Sequence, residues 1–342
     1  MRELSSRRGD ERDPDDRPWH SCPVNVWRAS EGARTRPRTD PSVVSVGVFD
    51  GVHVGHRHVL ARARERAAEL SAGSPLDVVA VTFDPHPTAV FAPDRAPAML
   101  TSVEQRVALL EEAGADEVRV LGFGAEMASW SPDEFVERIL LGELRAAGVV
   151  VGANFTYGSR AAGDVETLIA SGREHGFAAE GVALDGDGET VYSSTYVRSL
   201  VAEGDVAEAA RVLERPHSVR GVVVEGDKRG RQMGFPTANV LPPVGFAVPA
   251  DGVYAGWLRR HDTGDVLPAA ISVGSNPTFD GSQRRVESYV LDRDDLELYG
   301  VDVEVSFVAR VRGQVRFDGM DALVEQMRRD VVDVREALGT TV

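Results

Sequence analysis

The strongest constraint on this chain is the run Val43-Val-Ser-Val-Gly-Val-Phe-Asp-Gly-Val-His-Val-Gly-His56, where a β-branched stretch breaks off into glycines and histidines. Val43, Val44, Val46 and Val48 suit a strand covered on both faces. Gly47 and Gly51 permit a backbone approach that a Cβ would obstruct. From about His56 to Ala72 the period turns helical, with Val59, Leu60, Ala63 and Ala67 at spacings of three and four and Gly73 as a stop. At a strand-to-helix junction, unpaired backbone N–H groups and the positive end of the helix dipole favour an anion. His53 and His56 add side-chain donors for phosphate oxygens as charge builds during transfer. Structural imidazoles, or half of a metal site, are the competing readings. Zinc fits less well, because Cys22 is the only cysteine.

The same alternation continues. Asp77 to Phe83 reads as a buried strand that ends in Thr82-Phe-Asp-Pro-His-Pro87, whose prolines force an extended exit. Thr101 with Glu104 resembles a capping box opening a helix to about Ala113, and Glu117 to Leu121 makes a short strand. Ser131-Pro-Asp-Glu134 starts another helix, to roughly Ala147. Val149 begins the next strand, which leads into the loop through Asn154 to Gly158. A helix from about Asp164 to His175, a strand pair around Asp185-Gly-Asp-Gly188, and Tyr192-Ser-Ser-Thr-Tyr-Val-Arg198 complete this half. Strands alternating with helices imply a parallel sheet with its ligand crevice at the strands' carboxyl ends. Ser193, Ser194 and Thr195 offer hydroxyls and Arg198 a bidentate phosphate donor, although hydroxyl residues also serve as ordinary helix caps.

Composition sets the outer bounds. The 342 residues, 42% hydrophobic and 27% charged, fit two domains, and no segment approaches membrane-spanning length. Residues 1–40, rich in Arg, Asp and Pro, lack apolar periodicity and are expected to be disordered, with Val26-Trp27 as a candidate start of order. They also lack the apolar core of a signal peptide. The 38 basic and 54 acidic side chains leave a net charge of −16, which argues against a nucleic-acid-binding surface. A single cysteine allows no intramolecular disulfide and suits a reducing cytoplasm. Homo-oligomerisation is left open.

After a helical stretch around Asp205 to Leu213, short Val-rich runs separated by turns indicate a small β barrel from 217 to about 315, followed by an amphipathic helix from about Asp318 to Leu338. Within the barrel, Gly221 to Asn239 contains Gly-Asp-Lys-Arg-Gly-Arg and Gly-Phe-Pro-Thr-Ala-Asn. Lys228, the one lysine among the 38 basic residues, lies here. The glycines and basic residues suit phosphates, and the Thr237 hydroxyl suits a magnesium ion, but the P-loop pattern is absent. Read alone, the segment fits an ordinary glycine-rich hairpin better than a phosphate site.

Four strings in order, Gly47 to His56, Thr82 to Pro87, Val151 to Gly158 and Ser193 to Arg198, resemble the adenylyltransferase module of the bacterial bifunctional riboflavin kinase/FAD synthetases. The Gly226–Asn239 strings, Ser272 to Phe279, Val286 to Asp292, Leu298-Tyr-Gly300 and the last helix resemble the riboflavin kinase module. The resemblance spans about 43 to 340. It implies an α/β Rossmann-like nucleotidyltransferase domain followed by a small Greek-key β-barrel riboflavin kinase domain with a C-terminal helix. The implied division is 41–203 for FMN adenylyltransferase, 204–216 for a helical linker and 217–342 for the kinase.

In the first module, the resemblance implies ATP-binding by Gly47, Phe49, Gly51, His53, Gly55, His56, Asn154, Ser194, Thr195 and Arg198. Of these, His53, His56 and Arg198 would be catalytic. In the second it implies ATP-binding by Gly226, Lys228, Gly230, Arg231, Gly234, Pro236, Thr237 and Asn239, Mg2+ at Thr237 and Asn239, and Glu287 as base toward the ribityl hydroxyl. Riboflavin, FMN, FAD and ATP are the implied small-molecule partners, with ATP a co-substrate at both sites and FMN both product and substrate. No nucleic acid or membrane is implied. Val48 stands where Asn is frequent, Asp84 where Glu is, and Asn154 where Asp is; Ser275-Asn276 and Tyr289 also depart from frequent strings. The residues alone also fit another nucleotidylyltransferase of the His-x-Gly-His type or a non-catalytic flavin-binding sensor. A class I aminoacyl-tRNA synthetase fits less well, because no Lys-Met-Ser-Lys-Ser string occurs.

Overall fold

A computed structural model describes residues 26–28, 37–71, 73–188, 190–226, 233–275 and 284–340. Its first strand of consequence, β2 (Ser42–Val46), is buried along its whole length because apolar layers cover both faces. Val43 shares a core with Leu60, Ala63 and Ala67 of α1 (Val54–Glu69), while Val44 and Val46 share the opposite core with Leu140, Val149 and Val151. Each fully buried Val or Leu contributes roughly 1.5–3 kcal/mol, so these two layers dominate the stability of the half they build.

Around β2 lie β1 (Val26–Arg28), β3 (Asp77–Asp84), β4 (Glu117–Gly122), β5 (Ala146–Gly152) and β6 (Ala178–Val182). The strand order is β1-β4-β3-β2-β5-β6, and every neighbouring pair is parallel. The chain winds outward from β2 to β4 and then returns to the other side of β2 with β5. That reversal puts a crevice at the carboxyl ends of β2 and β5, where both glycine-bearing loops emerge. The connecting helices are α2 (Pro87–Phe91), α3 (Val103–Glu112), α4 (Ala125–Ser129), α5 (Pro132–Phe135) and α6 (Val165–His175). α7 (Ser194–Glu203) and α8 (Val206–Leu213) follow.

Several expectations shift. Val26–Arg28, inside the stretch expected to be disordered, pairs with Val118–Val120 as an edge strand. The cap of α3 is Ser102 with Gln105, one residue later than the expected Thr101 with Glu104, because the Thr101 hydroxyl bonds Asp50 instead. The Ser131–Glu134 capping box forms as expected, but its helix continues as π-helical turns Val136–Glu143 and gives way to β5 at Ala146. β6 went unread because Ala178-Ala-Glu-Gly-Val182 has little strand propensity and is recruited by pairing with β5. The strand pair expected near residues 185–188 amounts to one bridge, Gly186 with Val191.

The second half is a closed antiparallel barrel of β7 (His217–Val224), β8 (Thr237–Leu241), β9 (Gly252–Arg260), β10 (Val266–Ser275), β11 (Arg284–Val290) and β12 (Asp302–Gly313). β9, β10 and β11 are consecutive neighbours and β12 returns beside β9, which is the Greek-key order. The final helix, α9 (Met320–Leu338), packs Val334 against Ala255 and Leu291 and is tied by Arg312 to Asp330. Between the halves, Leu100, Val197, Leu213 and Ala247 form one buried cluster. Met99 pairs there with the loop before β9, its N–H donating to the Gly245 carbonyl at 2.7 Å and its carbonyl accepting from Ala247 N–H at 2.8 Å.

Candidate active sites

The turn between β2 and α1 builds the first site. His53 is the N-cap of α1 yet its side chain makes no capping bond, so the uncapped helix end is left to a ligand. The rings of His53 and His56 stack with centroids 3.7 Å apart, and Phe49 meets His56 edge-on at 5.1 Å. Nδ1 of both histidines is buried and has no hydrogen-bond partner among the described residues. Burial above all pushes His53 down to about 4; it also takes His56 well below its ordinary value, helped by the neighbouring His53. Both imidazoles are thus neutral near pH 7, and each has one N–H for a phosphate oxygen.

Asp50 organises the turn. Its carboxylate, almost wholly buried, accepts from Leu100 N–H, Thr101 N–H and the Thr101 hydroxyl. Arg198 donates to it at 2.6 Å and to the Ala98 carbonyl at 2.7 Å. The Ser194 hydroxyl donates to the Asp50 carbonyl at 2.8 Å, and Ser193 caps α7 by accepting from Tyr196 N–H. The capping interpretation of the hydroxyl run therefore holds for Ser193, whereas Ser194 fastens α7 to the turn. Arg198, expected at the triphosphate, is engaged behind the turn by Asp50.

A cavity of about 920 Å³ opens in front. Gly47, Phe49, His53, Gly55, His56, Asn154, Ser194 and Thr195 line it, so eight of the ten nucleotide residues expected in this half converge; Gly51 and Arg198 stay outside the lining. Gly51 has φ 82° and receives the Thr101 hydroxyl oxygen at its N–H, and a Cβ there would meet Leu100 at 2.8 Å. Its glycine is required by the turn itself. Val48 also lines the cavity, and its carbonyl accepts from the Thr82 hydroxyl at 2.8 Å and from Arg106 at 3.2 Å.

His86, Arg160 and Asp185 also line the cavity, beyond the residues the sequence points to. His86, in the Thr82–Pro87 string, accepts at Nδ1 from Thr88 N–H. Arg160, with φ 57°, follows Gly158 in the loop after β5, and a basic residue in that loop was the available signal. Asp185 pairs with His58 at 2.9 Å. Buried Arg106 joins the loop after β2 to the end of β3 through the carbonyls of Val48 and Phe83, a contact no local pattern announces. Phe83, Phe91, Phe123 and Trp130 add a broad apolar wall suited to a flat ring system.

The second site straddles β8. Thr237 and Asn239, two residues apart on the strand, share one face, and both line two adjoining cavities of about 440 and 70 Å³. Across the ladder, Asn239 stands opposite Glu287, and Thr237 opposite Tyr289. Glu287 lines the larger cavity with Phe235, Tyr289 and, from α9, Leu323 and Met327. Gly226 and Pro236 line the smaller one. A Cβ on Gly226 would fall 2.3 Å from Asn239 Nδ2, so any larger residue there would displace the Asn239 amide. Gly234, at φ 83°, lies outside both linings, and Lys228, Gly230 and Arg231 lie outside the described residues. Among the described residues no group of three or more His, Cys, Asp or Glu converges as a metal cage. The neutral oxygens of Thr237 and Asn239 are hard donors of the kind Mg2+ accepts when water and phosphate complete its shell.

The two halves match two different families. Residues 35–196 match FAD synthetase, and residues 213–338 match riboflavin kinase. The bifunctional riboflavin kinase/FMN adenylyltransferase of Escherichia coli strain K12 is 35% identical over 300 residues, covering 87% of this chain and 93% of its own. That of Pseudomonas fluorescens is 37% identical (88% and 94% covered), and that of Bacillus subtilis strain 168 is 33% identical (84% and 90%). The fold also superposes on a crystal structure described as a macrolide-efflux protein from Streptococcus pneumoniae, with TM-score 0.79, 30% identity, and coverage of 91% of this chain and 99% of that one. Among the described residues no helix is long and apolar enough to cross a membrane. With both halves matched and identity above 30% across nearly the full length of its relatives, the chain belongs to the bifunctional riboflavin kinase/FMN adenylyltransferase family.

Proposed function

We propose that the chain converts riboflavin and ATP to FMN in residues 217–342, then FMN and a second ATP to FAD and pyrophosphate in residues 41–203, with 204–216 as the link. The observation that carries this reading is the pair of separate cavities, one in each matched half, each lined by that half's own signature residues.

In the kinase, riboflavin fills the larger cavity and the ATP phosphates reach it past Thr237 and Asn239. The Glu287 carboxylate takes the proton from the ribityl hydroxyl as its oxygen attacks the γ-phosphorus and ADP leaves. Thr237 and Asn239 would hold Mg2+ through their side-chain oxygens; the ion supplies charge neutralisation at the phosphates. Gly226, Pro236 and Gly234 shape the nucleotide approach.

In the adenylyltransferase, the uncapped end of α1 and the neutral N–H groups of His53 and His56 hold the triphosphate, with Gly47, Gly55, Ser194 and Thr195 around it. A phosphate oxygen of FMN attacks the α-phosphorus, the bond to the β-phosphate oxygen breaks, and pyrophosphate leaves. No protein nucleophile is needed, so the residues act by placement and by donating toward developing charge. Asn154 helps seat nucleotide and flavin, and the aromatic wall receives the isoalloxazine. Local donors do this in a chain of net charge −16, which also disfavours nucleic-acid binding. The single cysteine fits a reducing cytoplasm.

Chromatography of the full chain incubated with riboflavin, ATP and Mg2+ tests the reading. FMN should appear first and FAD after it, with pyrophosphate in proportion to FAD. Flavin binding without either product would replace the enzyme with a flavin-binding sensor.

A further inference from the structure

The turn Asp50-Gly51-Val52 is held by Thr101, Ser194 and Arg198 of its own half and also from beyond it. Gly51 and Val52 have φ of 82° and 41°, and for β-branched Val52 that region is strained. Such a turn keeps its shape only where the surroundings over-determine it. Two routes reach it from beyond its own half, one from the link before β7 and one from the second half. In the first, Arg215 donates from Nη2 to the Gly51 carbonyl at 2.7 Å and from Nη1 to the Leu213 carbonyl at 3.2 Å. Arg215 lies within the residues matched to riboflavin kinase, yet its guanidinium reaches the phosphate turn of the FAD synthetase match. In the second, the loop through Gly245 and Ala247 pairs with Met99, and the next two residues, Leu100 and Thr101, give their N–H groups to the Asp50 carboxylate.

We propose that Arg215 is a positioning residue for adenylyl transfer, through which the link into the kinase half helps fix the turn that presents His53 and His56. The inference rests on the two-site reading above. Arg215 is outside the lining of the large cavity and reaches the turn through the Gly51 carbonyl. Its loss would let the strained turn relax and move the first turn of α1, and adenylyl transfer depends on placement above all.

The test uses the full chain with Arg215→Met, which keeps length and removes the donors, and Arg215→Lys, which restores one. Riboflavin phosphorylation and FMN adenylylation are assayed separately on each preparation, so the kinase rate reports folding. Arg215→Met should lower kcat/KM for ATP in adenylylation about tenfold or more, mostly through KM, with phosphorylation within about twofold of wild type. Arg215→Lys should recover part of the loss. Arg310→Met removes another contact between the halves, to the Glu203 carbonyl, remote from the turn, and should leave adenylylation unchanged. Unchanged adenylylation in Arg215→Met, equal loss of both activities in both Arg215 variants, or a similar adenylylation loss in Arg310→Met would overturn the proposal. A wild-type chain that makes only one of the two products would instead refute the two-site reading itself.

Discussion

Asp50 and Arg198 stand 148 residues apart in the chain and 2.6 Å apart in the fold. The sequence suggests Arg198 as a phosphate donor, whereas its partner in the fold is Asp50, which no local period reveals because the turn after β2 and α7 are far apart in the chain. The His-x-Gly-His string was legible for the opposite reason: strand, turn and helix start are contiguous. Asp50→Asn would leave a half-buried guanidinium without its counter-charge, so unfolding by urea should show a loss of about 3–5 kcal/mol. FAD formation should fall with it. A second prediction concerns acid. Buried His217, whose Nε2 lies 2.9 Å from the Ala247 carbonyl, is pushed by burial from 6.5 to about 4, and His53 behaves alike. Between those values the unfolded chain binds more protons than the folded one, so stability falls as pH drops from about 6.5 toward 4. Each histidine should contribute of order 1–3 kcal/mol to that loss. Urea midpoints between pH 7 and 4.5 should decline in the wild type and decline less steeply in His217→Gln, which keeps a donor for Ala247.

At the scale of elements, period and punctuation carried most of the information. β2, α1, β3 and α9 fell close to their expected bounds because their apolar spacing is clean. The start of α3 moved by one residue because a buried carboxylate competed for the Thr101 hydroxyl, and β6 was invisible because pairing, not propensity, makes it a strand. In the barrel, the ladder of β9 with β12 runs so close that a Cβ on Gly256 would lie 1.9 Å from the Ser306 carbonyl oxygen. Gly256→Ala must therefore spread two paired strands. A drop in stability of about 3 kcal/mol is expected, read as a lower thermal midpoint accompanied by loss of riboflavin phosphorylation. An unchanged midpoint would show that the ladder is looser than this geometry requires.

Across the whole molecule, the division into two halves was legible because composition changes from strand-helix alternation to short Val-rich runs. The junction was not, since Met99 with Gly245, or Arg215 with Gly51, become neighbours only when both halves are folded. The central claim is that one chain carries two chemically separate sites, joined mechanically but each with its own residues. The most direct measurement is a chromatographic assay of His56→Ala and Glu287→Gln in the full chain, supplied with riboflavin, FMN, ATP and Mg2+. His56→Ala should lower FAD formation about a hundredfold and leave riboflavin phosphorylation within about twofold. Glu287→Gln should lower phosphorylation by a factor of about 100 or more while still converting supplied FMN to FAD. Loss of both products in either variant, in protein that remains folded, would contradict the account.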